Sequence, residues 1–522
     1  MNTAHHPMTL ASTLADAAQQ RGLATACIDG EHSFSYAELD AATQRLASGL
    51  LSLGFARGDR VGIVALNQIE WVQLFFAAAK IGVAVVGMSL RYRDNELEYM
   101  VNDSQVKAVF TLASHEDFDF FAMWDRIAPR VPTLQHVIGI DRRRSADQLC
   151  FADLAAATPD SHALAQASAD VRDTDLAMVI YTSGTTGRPK GAGLTHHSML
   201  ASARAQAEHM RLNEHDMLQL ATPLNHVGGI TCGILSMLLG GGTIDLVAEF
   251  KAPLVLDRMQ RHPPTLVGGV PTMMTLLLMN AEGRNVDWNR VRLIFVGGSN
   301  VDATLLSQLN ERMPRATLMN LYGLSESSGA LVMTPLNCSR DDLMNSIGMP
   351  IGHADVRVLG AEGQLMPAGE VGELCFRGAG VIPGYIGNAV ASDAFDSDGW
   401  LHSGDLGKVD ARGVITLMGR AKDMYIQGGF NVYPAEIEAF IARHPKVMMV
   451  AGIGVADPVM GEIGRYYIVP KPGSELSEDE VRQYCREHLA DYKVPRQIVL
   501  RDDLPLTPAG KIHKAALREQ AR

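Results

Sequence analysis

The chain of 522 residues is longer than one ordinary hydrophobic core can serve, so it should divide into several domains. A hydrophobic share of 47% with 20% charged residues suits a soluble globular protein, and a net charge of −12 argues against nucleic acid or an anionic membrane as main partner. Six scattered cysteines (Cys27, Cys150, Cys232, Cys338, Cys375, Cys485) contain no CxxC pair, which implies reduced thiols and neither a disulfide framework nor a zinc site. The first residues lack a signal peptide's basic and apolar regions, no apolar run could span a bilayer, and the last residues carry no peroxisomal or prenylation tag. Cytoplasm is the expected compartment.

In chain order, residues 35–50 read as a helix, 61–66 as a strand, 71–80 as a helix, 83–87 as a strand, 96–101 as a helix and 106–112 as a strand. That alternation predicts βαβ units and a parallel sheet. Trp71, Phe75 and Phe76 read as core. Residues 141–146, with their arginine run, read as a solvated loop. The pattern resumes with a strand at 190–195, a helix at 198–210, strands at 217–223, 242–247, 265–270 and 291–297, and helices at 230–239 and 305–313. From about residue 350 short strands with tight turns take over (355–359, 372–377, 407–410, 413–417), and 421–522 mixes short helices and strands. No repeat or low-complexity tract is present.

The chemically loaded stretch is Tyr181-Thr-Ser-Gly-Thr-Thr-Gly-Arg-Pro-Lys190-Gly191, which follows the strand-like run 176–180. Glycines at 184, 187 and 191 allow tight turning and close ligand approach. Thr182, Ser183, Thr185 and Thr186 supply hydroxyls, Gly184 and Gly187 supply bare backbone, and Lys190 supplies a fixed positive charge, together a cradle for phosphate oxygens. Neither GxxxxGK[ST] nor GxSxG is present, so it is no common P-loop and no nucleophile elbow. The competing reading is a polar surface loop.

Further blocks are ambiguous one by one. Pro223-Leu-Asn-His226-Val-Gly-Gly229 places a histidine after a strand, where alone it reads as a core residue. Gly297-Gly298-Ser299 reads as a strand-to-helix turn that could pack on a flat ring. Asn320-Leu-Tyr322-Gly323-Leu-Ser325-Glu326 could equally be an acidic helix cap. Asp405 in Trp400-Leu-His-Ser-Gly-Asp could be a turn aspartate, and Lys511 in Leu504-Pro-Leu-Thr-Pro-Ala-Gly-Lys a solvated tail lysine.

Taken in order, these blocks resemble the adenylate-forming (ANL) superfamily of acyl- and aryl-CoA synthetases, peptide-synthetase adenylation domains and beetle luciferases. The similarity runs from residue 35 to the terminus, with Ser299-Asn300 in place of the usual Ala-Pro and Ser325 in place of Thr. It implies an α/β fold: a large N-terminal domain, residues 1–420, of two doubly wound α/β subdomains plus a small β-rich part at about 350–420, and a mobile α+β C-terminal domain, 421–522. It implies an ATP-dependent acyl-CoA synthetase using Mg²⁺ and CoA, with a medium- or long-chain fatty acid favoured as substrate. An aryl or alicyclic acid ligase and a carrier-protein loader are the alternatives, a luciferase-like oxygenase has no support, and a non-catalytic nucleotide-binding regulator is the reading from another class.

The resemblance also distributes roles. Thr182 to Gly187 and Lys190 would hold phosphates, and Tyr322 would stack on adenine beside Gly297, Gly298, Ser299, Asn320 and Gly323. Ser325 would meet the α-phosphate and Glu326 the Mg²⁺. Asp405 and Arg420 would hold ribose, His226 would close the carboxylate site, and Lys422 would be the pivot. Gly428 and Gly429 would line the pantetheine tunnel, and Lys511 would be the catalytic lysine. The partners implied are a small carboxylic acid, ATP and CoA, without nucleic acid or integral membrane segment; a homodimer is compatible.

Overall fold

The computed structural model describes residues 8–182, 189–298, 303–352, 354–387, 394–507 and 511–521. Two large sheets form the body. In the first, the parallel strands Leu176–Thr182, Ala84–Met88, Arg60–Val64, Ala108–Thr111 and His136–Gly139 lie side by side in that order, and Lys190–Thr195 folds back antiparallel on Leu176–Thr182 with Lys190 opposite Thr182. In the second, Thr317–Leu324, Leu293–Gly297, Leu266–Gly269, Met217–Leu220, Thr243–Leu246 and Thr25–Asp29 are parallel, with antiparallel strands closing both edges. The N-terminal strand Thr25–Asp29 thus serves the second sheet, although the chain goes on to build the first.

Local chemistry explains the main elements. Tyr36–Ser52 is a helix because Ser35 Oγ accepts the Glu38 N–H at 3.2 Å while Glu38 Oε2 accepts the Ser35 N–H at 2.8 Å. The helix Ile69–Lys80 is buried on nearly every side, so Trp71, Phe75 and Phe76 are core residues as their spacing suggests. Its one buried cation, Lys80, meets Asp40 at 2.7 Å.

Two local expectations change. The strand expected at 217–223 stops at Leu220, because the Asn67 side chain captures the segment beyond it: Nδ2 donates to the Leu220 and Thr222 carbonyls at 3.3 and 3.0 Å, and Oδ1 accepts the Leu224 N–H at 3.0 Å. The helix expected at 230–239 begins as a short turn, Val227–Gly229, widens to a π-helix at Ile230–Leu235, and becomes α-helical only at Ser236–Gly240. Glycines permit this course: a β-carbon on Gly229 would lie 2.2 Å from the Pro223 carbonyl oxygen. A π-turn of this kind is frequent beside functional sites.

Beyond the two sheets, Asp355–Leu359, Gly372–Arg377, Leu401–Val409 and Ile415–Arg420 form a four-stranded antiparallel sheet. The third of these is longer than the expected 407–410 and carries a bulge around Ser403 and Gly404, where Gly404 adopts φ +69°. A last sheet pairs Phe430–Val432, Tyr425–Gln427, Gly461–Pro470 and Val447–Asp457, with Gln497–Leu500 parallel to Gly461–Pro470. The short helices Pro434–Ile441 and Glu478–Arg486 cover it around Tyr466 and Ile468.

Candidate active site

In an open parallel sheet, ligands collect beyond the carboxyl ends of the strands. Gly298, Tyr322 and His226 all follow or end strands of the second sheet at that edge. Lys511, from the far end of the chain, comes to the same place. Its aliphatic stem lies on Gly298, so that a β-carbon there would sit 3.2 Å from Cε and 3.6 Å from Nζ. Gly298 adopts φ +83°, a conformation that only glycine takes without strain. Burial, with the Arg420 guanidinium nearby, lowers the Lys511 pKa, while Asp405 and Glu326 oppose that shift.

His226 begins the short turn: its Nδ1 accepts the Gly228 N–H at 3.1 Å. Burial first and the Lys511 charge second push its pKa down to about 3, so the ring is neutral at physiological pH. A neutral imidazole beside a lysine can border a carboxylate without competing for its charge.

Tyr322, Asp405 and Arg420 form one connected group. The Tyr322 hydroxyl donates to Asp405 Oδ2 at 2.6 Å, and Arg420 Nε lies 2.9 Å from Asp405 Oδ1. Asp405 is buried, projected from the bulged strand, and register pairs it with Arg420 on the neighbouring strand. Asn320 spends its amide N–H groups on the Leu343 and Ser346 carbonyls at 2.7 and 2.8 Å. Its Oδ1 is buried with no partner among the described residues, an acceptor that the exocyclic amine of adenine would fit.

Glu326 sits in the 3₁₀ turn Ser325–Ser327, directly after the Tyr322 strand. The segment 382–386 threads past it: Ile382 N–H donates to the Glu326 carbonyl at 2.9 Å and Ile386 N–H to the Gly191 carbonyl at 2.8 Å. Between these anchors the Tyr385 hydroxyl donates to Glu326 Oε1 at 2.6 Å, and its ring lies 5.4 Å from Lys190 Nζ. Tyr99 donates to the Pro189 carbonyl at 3.0 Å and so fixes the backbone before Lys190.

These groups surround the half-buried Lys511, and comparison with known proteins gives the family. The family model described as "AMP-binding enzyme" matches residues 14–386, and that of the "AMP-binding enzyme C-terminal domain" matches 436–511. The chain belongs to the AMP-binding enzyme family. A feruloyl-CoA synthase of an Amycolatopsis species is 34% identical over 498 residues, covering 95% of this chain and 96% of that one. A 3-[(3aS,4S,7aS)-7a-methyl-1,5-dioxo-octahydro-1H-inden-4-yl]propanoyl:CoA ligase of Mycobacterium tuberculosis is 33% identical, covering 95% of each chain. Among solved structures, ATP-bound MatB from Rhodopseudomonas palustris superposes with a TM-score of 0.87 at 30% identity, covering 98% of this chain and 99% of that one. This AMP-binding enzyme is a ligase of the acyl-CoA synthetase family with the ANL-type mixed α/β fold.

Of the residues expected at the site, the structure brings His226, Gly298, Tyr322, Glu326, Asp405, Arg420 and Lys511 near one another, with Gly297 ending the strand before Gly298 and Gly323 following Tyr322. Thr182 and Lys190 approach from the first sheet. Ser183, Gly184, Thr185, Thr186, Gly187 and Ser299 lie outside the described residues. Gly428 and Gly429 form the exposed tip of a hairpin, with Gly428 against Met460, and Lys422 lies on an exposed 3₁₀ turn. Sequence reasoning missed Tyr385 and Asn67. Gly384-Tyr385 carries no spacing signal, and a lone asparagine after a strand looks like any turn residue.

Proposed function

We propose that this acyl-CoA synthetase adenylates an apolar carboxylic acid and passes the acyl group to CoA. A medium- or long-chain fatty acid is the first substrate class, and an aryl or alicyclic acid the second. The placement of Lys511 on Gly298, between neutral His226 and the Asp405–Arg420–Glu326 group, supports the first step. Residues 227–240, the turn and helix that follow His226, contain no charged side chain. Beside them lies Gly329, at φ +145°, where a β-carbon would come nearest to Ser202, Cys232 and Thr231. An amino acid or dicarboxylate would need a buried counter-charge there. The feruloyl and indanyl-propanoyl substrates named for the two relatives favour the second class.

In this reading the carboxylate oxygen of the acid attacks the α-phosphorus of ATP, the bond to the β-phosphate oxygen breaks, and pyrophosphate leaves. The substrate is the nucleophile, so the protein positions groups and stabilises charge. Lys511 bridges carboxylate and α-phosphate; Lys190 and the hydroxyls of residues 182–186 hold the leaving phosphates. Tyr322 and Asn320 receive adenine, Asp405 and Arg420 the ribose, and Ser325 the α-phosphate. Glu326, a hard oxygen donor, is the residue that would hold Mg²⁺, which when bound neutralises charge on the phosphates. For the second step, residues 421–522 turn about Lys422, withdraw Lys511, and bring Gly428 and Gly429 to the acyl carbon for attack by the CoA thiol, with AMP leaving.

The deciding experiment is pyrophosphate release with ATP and Mg²⁺ against fatty, aryl, alicyclic and dicarboxylic acids, each with and without CoA. Acid-dependent release with matching acyl-CoA is expected, strongest for apolar acids. A dicarboxylate as best substrate would overturn the apolar assignment. Stoichiometric release insensitive to CoA would point to a carrier-protein thiol as acceptor.

A further inference from the structure

On the strands Gly372–Arg377 and Leu401–Val409, the second of which also carries Asp405, register places Cys375 directly opposite His402. Glu373, two residues earlier on its strand, shares the face of Cys375. Oε2 of Glu373 lies 2.9 Å from His402 Nδ1, and Sγ of Cys375 lies 3.5 Å from the same nitrogen. One ligating atom from each of the three residues falls within 4.8 Å of the others. A thiol–imidazole–acid relay would need thiol and acid on opposite ring nitrogens. Here Glu373 and Cys375 both meet Nδ1, and the acid on the other side of the ring, Asp396, stays 3.9 Å from Nε2, beyond hydrogen-bond reach, so no relay is set and the groups around Nδ1 form a chelating arrangement.

We propose that Glu373, Cys375 and His402 form a binding site for a borderline-soft divalent cation of the zinc class, separate from Glu326. Tetrahedral coordination with metal–ligand bonds of about 2.0–2.3 Å separates ligand atoms by roughly 3.3–3.8 Å. The sulfur–nitrogen pair is already at 3.5 Å, and the carboxylate at 2.9 Å needs only a small opening. The surroundings suit the role. The other carboxylate oxygen of Glu373 accepts the Gly404 N–H at 3.0 Å, and Asp396 Oδ2 faces His402 Nε2 at 3.9 Å. Such outer partners orient metal ligands. The opposing charge is Arg357, the cross-strand neighbour of Cys375, whose guanidinium also reaches the Cys375 thiol; it pairs with Asp396 and lies 4.3 Å over the Trp400 ring, which partly offset its charge. On binding, the thiol proton leaves to solvent, and the neutral ring carries its proton on Nε2, on the side of Asp396, so that the Nδ1 lone pair meets the metal. Affinity therefore rises with pH. CxxC spacing misses the site because its ligands are brought together by strand register.

Cobalt(II) is the probe, titrated into full-length protein stripped of metal, without ATP, in thiol-free buffer. A thiolate-to-cobalt charge-transfer band saturating at one equivalent and displaced by Zn²⁺ is expected. It should vanish in Cys375→Ser and persist in Cys338→Ser, which removes the half-exposed thiol, and in Glu326→Gln. His402→Gln, with the thiol intact, should weaken cobalt binding by at least roughly 10-fold and serves where Cys375→Ser does not fold. Absence of the band in the folded wild-type protein, or its survival in Cys375→Ser, would overturn the proposal.

Discussion

Tyr385 stands between two opposite charges: its hydroxyl donates to Glu326 Oε1 at 2.6 Å, while the face of its ring lies 5.4 Å from Lys190 Nζ. One side chain thus positions the carboxylate and the ammonium proposed for the metal and the leaving phosphates.

Replacing Tyr385 by Phe keeps the ring under Lys190 and removes only the donor to Glu326. A hydrogen bond to a charged group contributes about 1.5–3 kcal/mol, so Tyr385→Phe should raise the Mg²⁺ concentration for half-maximal pyrophosphate release by roughly 10-fold. Tyr385→Leu, which also loses the cation–π contact, should in addition raise KM for ATP. An unchanged Mg²⁺ dependence in Tyr385→Phe would show that the hydroxyl does not position Glu326.

Lys511→Ala removes the preorganised charge at the proposed phosphoryl-transfer centre. The loss in acid-dependent pyrophosphate release should be roughly 10²–10³-fold or more. Conversion of supplied acyl-adenylate and CoA to thioester should continue near the wild-type rate. Equal loss of both half-reactions would refute the two-conformation scheme.

Gly298→Ala tests the same scheme from the other side of the contact. A β-carbon there meets the Lys511 stem at 3.2 Å, at a φ of +83° that alanine adopts only with strain. The adenylation half-reaction should fall more than thioester formation, because only the former needs Lys511 seated. Parallel half-reaction assays read the ratio, and a ratio unchanged from wild type contradicts this assignment.

His196 supplies a pH dependence apart from catalysis. It is fully buried, its Nδ1 accepts the Leu10 N–H at 3.3 Å, and burial pushes its pKa from 6.5 down to about 4 against the pull of Asp175 and Asp173. The unfolded chain binds the proton more readily, so this stability is full above about pH 6.5 and is lost as pH falls toward 4. The loss is of the order of 3 kcal/mol. Thermal melts between pH 7 and pH 4 should fall more shallowly for His196→Gln than for wild type; identical slopes would mean that His196 does not carry the effect.

The doubly wound body was legible because periodicity reports burial. Alternating apolar runs at 61–66, 83–87 and 106–112 became strands, and the apolar helix at 71–80 became core. The candidate site was legible only as an ordered set of motifs, because each block alone also suits a turn, a cap or a surface loop. What escaped reading was whatever depends on contact between distant segments. Asn67 ends a strand 153 residues away at Leu220, and Tyr385 reaches Glu326 across 59 residues.

The residues themselves determined the strand–helix alternation, the glycine, hydroxyl and lysine content of 182–190 on which the proposed phosphate cradle rests, and the ordered motifs that mark an AMP-binding enzyme, because hydrophobic period and backbone freedom are local properties. Only the tertiary structure decided that Thr25–Asp29 joins the second sheet, that residues 230–235 wind as a π-helix around glycines, and that Lys511 lies on Gly298. Only strand register made neighbours of Glu373, Cys375 and His402. Those outcomes depend on which surfaces exclude water together, and a linear pattern carries no record of that pairing.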